Sequence, residues 1–300
     1  GFGAAMCRDP NNPAGPNWQA AADDHAPRAL TAHEQRVYDI YRDIIAFRTA
    51  AGHGQMDDMV AYLTGRLAAA GFAEEDVLVT DYDSEGDPTQ GLVVRYRGDG
   101  SANAKPIVML AHMDVVDALP EDWERDPFTP VIEDGYLFGR GSLDNKAGLS
   151  IVTATIMKLR REGWVPAHDI VLGFSGDEET QMATTAAMAS AIVQQAGKVD
   201  LVLNADSGGG TLDEAGQPFV YEVQAGEKTY ADYKLTLTDP GGHSSRPGAT
   251  NAIAAMSAAM EKIWAYKFPV TVSPLTKAYF EGSVDAAPAE VAPAMRALIA

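Results

Sequence analysis

Cysteine is almost missing from this sequence: Cys7 is the single one in 300 residues. No intrachain disulfide can form, and thiolate zinc sites are excluded, so any metal has to be held by His, Asp and Glu. Long apolar runs are missing too. Hydrophobic residues make up 46% of the chain, yet none of the runs reaches the roughly 18 residues that a membrane-spanning helix needs, and no span is expected. Basic residues are scarce, with 23 Lys and Arg against 42 Asp and Glu and a formal net charge of -19. Phosphate binding needs clusters of Lys and Arg, so nucleic acid is not an expected partner. Most of the acidity reads as a solvated, self-repelling surface, with a smaller share of carboxylates left as candidate metal ligands.

Residues 1–30 are rich in Ala, Pro, Asn and Asp and lack the apolar core of a signal peptide, so an irregular N-terminal segment is expected. A polar start at Gly1 tilts the expected compartment toward an exported or periplasmic protein rather than a cytoplasmic one. Three hundred residues exceed what one core usually fills, which predicts two domains.

Regular structure is expected from Thr31, which forms a capping box with Glu34. Val37, Ile40, Tyr41, Ile44 and Phe47 then recur at helical spacing, and a second helix carries Met56, Met59, Val60, Leu63 and Leu67 up to Gly71. Beyond it, short apolar runs at Val77 to Thr80, Leu92 to Tyr96, Ile107 to Ala111, Ile170 to Phe174 and Leu201 to Ala205 read as strands. A helix from Lys146 to Arg161, stopped by Gly163, separates two of them. Strands alternating with helices predict an α/β domain with a mixed, mostly parallel, buried sheet flanked by helices. Near Gly216 the character changes. Tyr230 to Thr238 alternates like a half-exposed strand, and a helix with Ile253, Met256, Met260, Ile263 and Trp264 on one face follows. The expected division is therefore an α/β domain over 31–215 and a smaller α+β domain over 216–300.

The chemically informative residues sit where strands end. Ile107 to Ala111 runs into His112-Met113-Asp114, Ile170 to Phe174 into Ser175-Gly176-Asp177-Glu178-Glu179, and Leu201 to Ala205 into Asp206-Ser207-Gly208-Gly209. In open α/β sheets ligands bind outside the carboxyl ends of the strands. A glycine-bearing loop, Gly139-Arg140-Gly141-Ser142-Leu143-Asp144-Asn145, opens a helix and can bring Asp144 to the same edge. Imidazole plus carboxylates without thiolate suits catalytic zinc, manganese or cobalt. Taken singly, each piece has a plainer reading: a chance His-x-Asp, a solvated acidic loop, a turn at Asp206, a helix cap at Asp144. Their shared position at one edge weighs against coincidence, because crowded carboxylates repel unless a cation neutralises them.

These motifs, followed by Gly241-Gly242-His243-Ser244-Ser245, stand in the order of one family. The chain resembles the zinc exopeptidases and deacylases that include aminoacylase, glutamate carboxypeptidase, carnosinase, carboxypeptidase S and succinyl-diaminopimelate desuccinylase. The resemblance runs from about His33 to about Pro269. It implies the zinc exopeptidase-like fold with an inserted lid, which also serves for dimerisation, so a homodimer through that lid is expected. It further implies two zinc ions, with His112 on one, Asp144 bridging both, and Glu179 and Asp206 each holding one. Asp114 would accept a hydrogen bond from the far nitrogen of His112 and fix its tautomer. A cis peptide would follow the bridging aspartate, at Asp144-Asn145. Glu178 would be the general base toward a zinc-bridged water, and His243 would reach from the lid to stabilise the oxyanion.

The implied reaction is hydrolysis of an amide in a peptide or dipeptide, of carboxypeptidase or dipeptidase type. N-acyl-amino-acid deacylation on the same site, and a non-catalytic metal-binding relative, are the alternatives. The family's fifth ligand is a histidine from a C-terminal catalytic segment, and none of the six histidines follows His243. The expectation is that this segment, and the end of the lid, lie outside these 300 residues.

Overall fold

The computed structural model describes residues 29–300, apart from 134–135, 208, 213–216, 228, 244, 247 and 286. The expected irregular segment over 1–30, with Cys7, thus lies outside the described residues but for its last two positions. The chain divides into a unit that ends at Val223 and a second unit over Gln224–Ala300. The expected boundary at 215/216 falls inside the first unit.

Helix α1 (Ala32–Ile45) starts on the capping box: Thr31 Oγ1 accepts the Glu34 N–H at 3.2 Å, and the Glu34 carboxylate accepts the Thr31 N–H at 2.7 Å. Helix α2 (Met56–Ala69) buries Met59, Val60, Leu63 and Leu67, one stripe at helical spacing. Helix α3 (Lys146–Arg161) buries Leu149, Ile156 and Met157, and α4 (Ala183–Ala196) buries Met188 and Ile192.

The strands of the main sheet are β1 (Val77–Ser84), β2 (Asp87–Tyr96), β3 (Ile107–His112), β6 (Ile170–Ser175) and β7 (Leu201–Asn204), in the order β1-β2-β6-β3-β7. Two short hairpins complete the described strands, β4 (Val131–Glu133) with β5 (Tyr136–Phe138), and β8 (Gly209–Leu212) with β9 (Pro218–Glu222). In the main sheet β6, β3 and β7 are parallel, while β1 and β2 add antiparallel pairings. The sheet is mixed and has helices on both faces. Leu92, Val94, Tyr96, Leu172 and Phe174 pack with α1, α2 and α3 on one side. Val93, Val108 and Val171, one residue out of phase, meet Met188 and Ile192 of α4 on the other. All six residues of β6 are buried, as a central strand requires. On β7, by contrast, Leu201, Val202 and Leu203 remain nearly half exposed, so the expectation of a buried strand there is corrected: β7 is an edge of the described sheet.

The second unit contains α5 (Ala252–Ala265), α6 (Pro274–Ser283) and α7 (Ala292–Ile299). Asn251 caps α5 by accepting the Ala254 N–H at 3.0 Å. The alternating segment Tyr230 to Thr238 does not form a strand. Alternation marks which side chains share a face, but a strand also needs a neighbour for its backbone groups, and among the described residues of this unit there is none. No helix among the described residues is long and apolar enough to cross a membrane.

Candidate metal centre

Because β6, β3 and β7 are adjacent and parallel, their carboxyl ends open on one edge of the sheet. His112 is the last residue of β3 and lies in register with Ser175, the last residue of β6. Glu178 and Glu179 follow β6, and Asp206 follows β7 within two residues. The loop ahead of α3 supplies Asp144. Its path is held by Tyr41, whose hydroxyl donates to the Ser142 carbonyl, and by the Lys146 N–H, which donates to Gly141 O at 3.0 Å. The Asp144–Asn145 peptide is cis.

The cluster closes around His112, which is 2% exposed. Its Nε2 lies 2.8 Å from Asp144 Oδ1 and 3.3 Å from Asp206 Oδ1. Two overlapping donor sets, His112 with Asp144 and Asp206, and His112 with Glu178 and Glu179, each keep their ligand atoms within 4.8 Å of one another. Thus all six residues of the first unit expected at the site come together. His243 belongs to the other unit, where it is exposed and its Nδ1 is 2.8 Å from Ser245 Oγ. Ser244 of the same motif lies outside the described residues.

Asp114 does more than the resemblance implied. The acceptor nearest His112 Nδ1 is the Asp114 backbone carbonyl at 2.9 Å, with its carboxylate Oδ1 at 3.4 Å. The carboxylate instead takes the N–H groups of Glu178 (3.1 Å) and Glu179 (2.9 Å). One residue therefore sets the imidazole from behind and ties down the backbone of the two glutamates.

Sequence reasoning missed Asp177, Asn145 and Lys146. Asp177 is 2% exposed. Its carboxylate accepts from Ser84 Oγ at 2.9 Å, Ala183 N at 2.8 Å, Thr184 N at 2.9 Å and the Thr184 hydroxyl. It anchors the loop rather than joining the cluster. Asn145 is fully buried and donates from Nδ2 to Asp206 Oδ1 at 3.0 Å. Lys146, also fully buried, donates from Nζ to Phe47 O at 2.6 Å, and burial pushes its pKa down to about 7 against the opposing charge of Asp114. The signal available for all three was a place within two positions of a candidate ligand; burial is not written in residue type.

Electrostatics show what the cluster lacks on its own. Burial lifts the Glu178 carboxyl above the usual glutamate range, and the carboxylates of Asp206, Asp114 and Asp144 add to the lift. Glu179 is raised in the same way, by burial and then by Asp144. Burial disfavours a charged His112, yet hydrogen bonds with Asp114, Asp144 and Asp206 outweigh it and push its pKa up to about 12. Three acids around one imidazole thus hold a proton where a cation belongs. The donor chemistry fits a borderline divalent metal. Nδ1 is engaged by a carbonyl, which leaves Nε2 to bind, and the remaining donors are carboxylates with no thiolate.

Residues 108–292, more than half of the chain, match the family described as Peptidase family M20/M25/M40. The N-fatty-acyl-amino acid synthase/hydrolase of Bos taurus is 31% identical over 163 residues, 53% of this chain and 32% of that protein. Carboxypeptidase S of Saccharomyces cerevisiae is 31% identical over 163 residues, 52% of this chain and 28% of that protein. The chain therefore spans about a third of the length of the curated relatives it matches. Among solved structures, human carnosine dipeptidase 1 aligns with a TM-score of 0.50 at 18% identity, over 60% of this chain and 41% of that one, a likeness of fold.

Proposed function

The chain belongs to peptidase family M20/M25/M40, and from that premise we propose that it hydrolyses the amide bond of a peptide or dipeptide at a metal centre built on His112, Asp144, Glu179 and Asp206. The observation that carries this reading is the convergence of one imidazole and several carboxylates, two of them pushed toward protonation, at the carboxyl edge of three parallel strands. In this reading two zinc ions are held, with cobalt or manganese as substitutes. His112, Asp144, Glu179 and Asp206 are the residues that would hold them. When bound, the metal polarises the scissile carbonyl and makes water acidic enough to be deprotonated near neutral pH.

The chain's own residues account for the rest. Glu178 is half-buried with its backbone N–H fixed by Asp114, so its carboxylate is free to take a proton from water and return it to the leaving nitrogen. Asp114 keeps His112 in the tautomer that presents Nε2. By the family resemblance alone, the Gln224–Ala300 unit would be the lid and dimerisation element, and His243 would contribute a donor to the developing oxyanion.

N-acyl-amino-acid hydrolysis is the second reading, favoured by the similarity to proteins named N-fatty-acyl-amino acid synthase/hydrolase. Peptide and acyl amino acid share the bond to be cut, so the chemistry above serves either. Zinc content by elemental analysis, combined with amine release from dipeptides and from N-acyl amino acids, tests both. The expected result is bound zinc, hydrolysis of one of the two classes, and a loss of about 10²–10⁴-fold in kcat for Glu178→Gln with metal retained. Unchanged turnover in Glu178→Gln, or a protein that takes up no metal, would refute the proposal.

A further inference from the structure

We infer that Asn145 is a positioning residue: its side-chain amide holds Asp206 so that His112, Asp144 and Asp206 form a preformed metal site. The inference rests on the metal reading above and extends it to a residue outside the ligand set. Asn145 stands at the N-cap of α3, where an asparagine side chain ordinarily accepts an N–H from the first turn. Here it makes no such bond. Its Nδ2 donates to Asp206 Oδ1 at 3.0 Å instead.

The other end of the amide has no compensation. Asn145 is 0% exposed, and its Oδ1 has no hydrogen-bond partner among the described residues. A buried acceptor left unpaired is costly, and each such group calls for an explanation. An apolar side chain would fill the space without that cost, so the amide is accounted for by what Nδ2 does. Turning it over is no remedy, because Oδ1 would then face the carboxylate of Asp206, acceptor against acceptor. The space is also closed: a Cβ on Gly148, one turn into α3, would press on Asn145 Oδ1 and lie 2.7 Å from Ala205 O.

Asp206 needs such a hold. It follows β7, the edge strand whose Leu201, Val202 and Leu203 remain nearly half exposed, and its own side chain is 25% exposed. One hydrogen bond to Oδ1 fixes the carboxylate plane and leaves Oδ2, and a lone pair of Oδ1, for a cation. Groups that orient ligands from behind are worth about 10–100-fold in metal affinity.

The test compares metal affinity with metal-free stability. Purified wild type, Asn145→Leu and Asn145→Ala are titrated with zinc against a chromophoric chelator, and each is unfolded thermally without metal. The expected result is zinc affinity about 10–100-fold weaker in both variants, with Asn145→Leu as stable as the wild type or more so, since it removes an unpaired buried acceptor. A merely structural asparagine would give the opposite pattern, lost stability with affinity preserved. Asn145→Ala fits without a clash and keeps the test decisive if leucine misfolds. Wild-type affinity retained in the variants overturns this inference alone, whereas a wild type that binds no zinc overturns the metal reading and the inference with it.

Discussion

Replacing Asp177 by alanine removes the acceptor of four donors at once: the Ser84 hydroxyl, the Ala183 and Thr184 N–H groups, and the Thr184 hydroxyl. Met182, at the N-cap of α4, makes no side-chain cap bond, so Asp177 does the capping of that helix from five residues upstream. Losing a cap costs about 1 kcal/mol. Leaving the Ser84 hydroxyl buried and unpaired adds about 1–3 kcal/mol. The four bonds share one carboxylate and do not add, which places the total near 3 kcal/mol, short of the 4–5 kcal/mol that marks exceptional substitutions. For a unit of this size each kcal/mol lowers Tm by about 2–4 °C, so Asp177→Ala should melt about 6–12 °C below the wild type. Asp177→Asn keeps one acceptor oxygen and should lose about half of that. Ser84→Ala, which removes one donor and its bond together, should lose about 1 kcal/mol. Thermal unfolding followed by circular dichroism on metal-free protein reads all three. Because the displaced segment carries Glu178 and Glu179, Asp177→Ala should also lose zinc. A Tm within 2 °C of wild type for Asp177→Ala, an interval below the roughly 2–4 °C of a single kcal/mol, would refute the claim that this carboxylate holds the loop.

Two further outcomes follow from the same geometry. In the metal-free protein the His112 pKa is pushed up to about 12, against an ordinary value of 6.5. Metal must displace that proton, so zinc affinity should climb about tenfold per pH unit across pH 6–9, whereas an ordinary histidine would level off above its pKa. Titration against a chelator at fixed ionic strength checks this, and a plateau above pH 7 would contradict it. The contribution of His112 to the stability of the metal-free protein runs the other way. A raised folded pKa gives stability that is complete below pH 6.5 and is lost as pH climbs toward 12. The second outcome concerns Gly148, where a Cβ would lie 2.7 Å from Ala205 O and 2.8 Å from Ala205 Cβ. At an open helix position Gly→Ala would stabilise by about 1 kcal/mol. Here overpacking of about 1–3 kcal/mol should reverse that sign, and urea denaturation distinguishes the two.

The elements legible in the sequence were those whose local signals agree with their tertiary setting. Lys146 to Arg161 has its periodic face, and Gly163 at φ +73 stops it, so the expected and observed bounds of that helix coincide. The strands β2, β3 and β6 were visible as apolar runs because both faces of the sheet are covered. Tyr230 to Thr238 was misread as a strand, and the exposure of the Leu201 to Asn204 strand was missed, for one reason. Pairing and burial of a strand depend on neighbours distant in sequence, and residue type is silent about them.

The site shows the same division inside three consecutive acids. Asp177, Glu178 and Glu179 read alike in a sequence, as an acidic loop after a strand. In the fold their chemistry is set by where protein donors go. Donors from Ser84, Ala183 and Thr184 engage both carboxyl oxygens of Asp177, which places it in the framework and out of reach as a ligand. For Glu178 and Glu179 the protein engages the backbone instead, through the Asp114 carboxylate, and leaves the side chains half-buried at the cluster. A carboxylate whose lone pairs are used by N–H and O–H groups is stabilised as an anion and has little left for a cation. One that is desolvated without such donors is pushed toward protonation, and only a metal or a proton can relieve it. What separates the framework acid from the chemical ones here is where the protein's donors go, and the raised carboxyls of Glu178 and Glu179 mark the two that are left for chemistry.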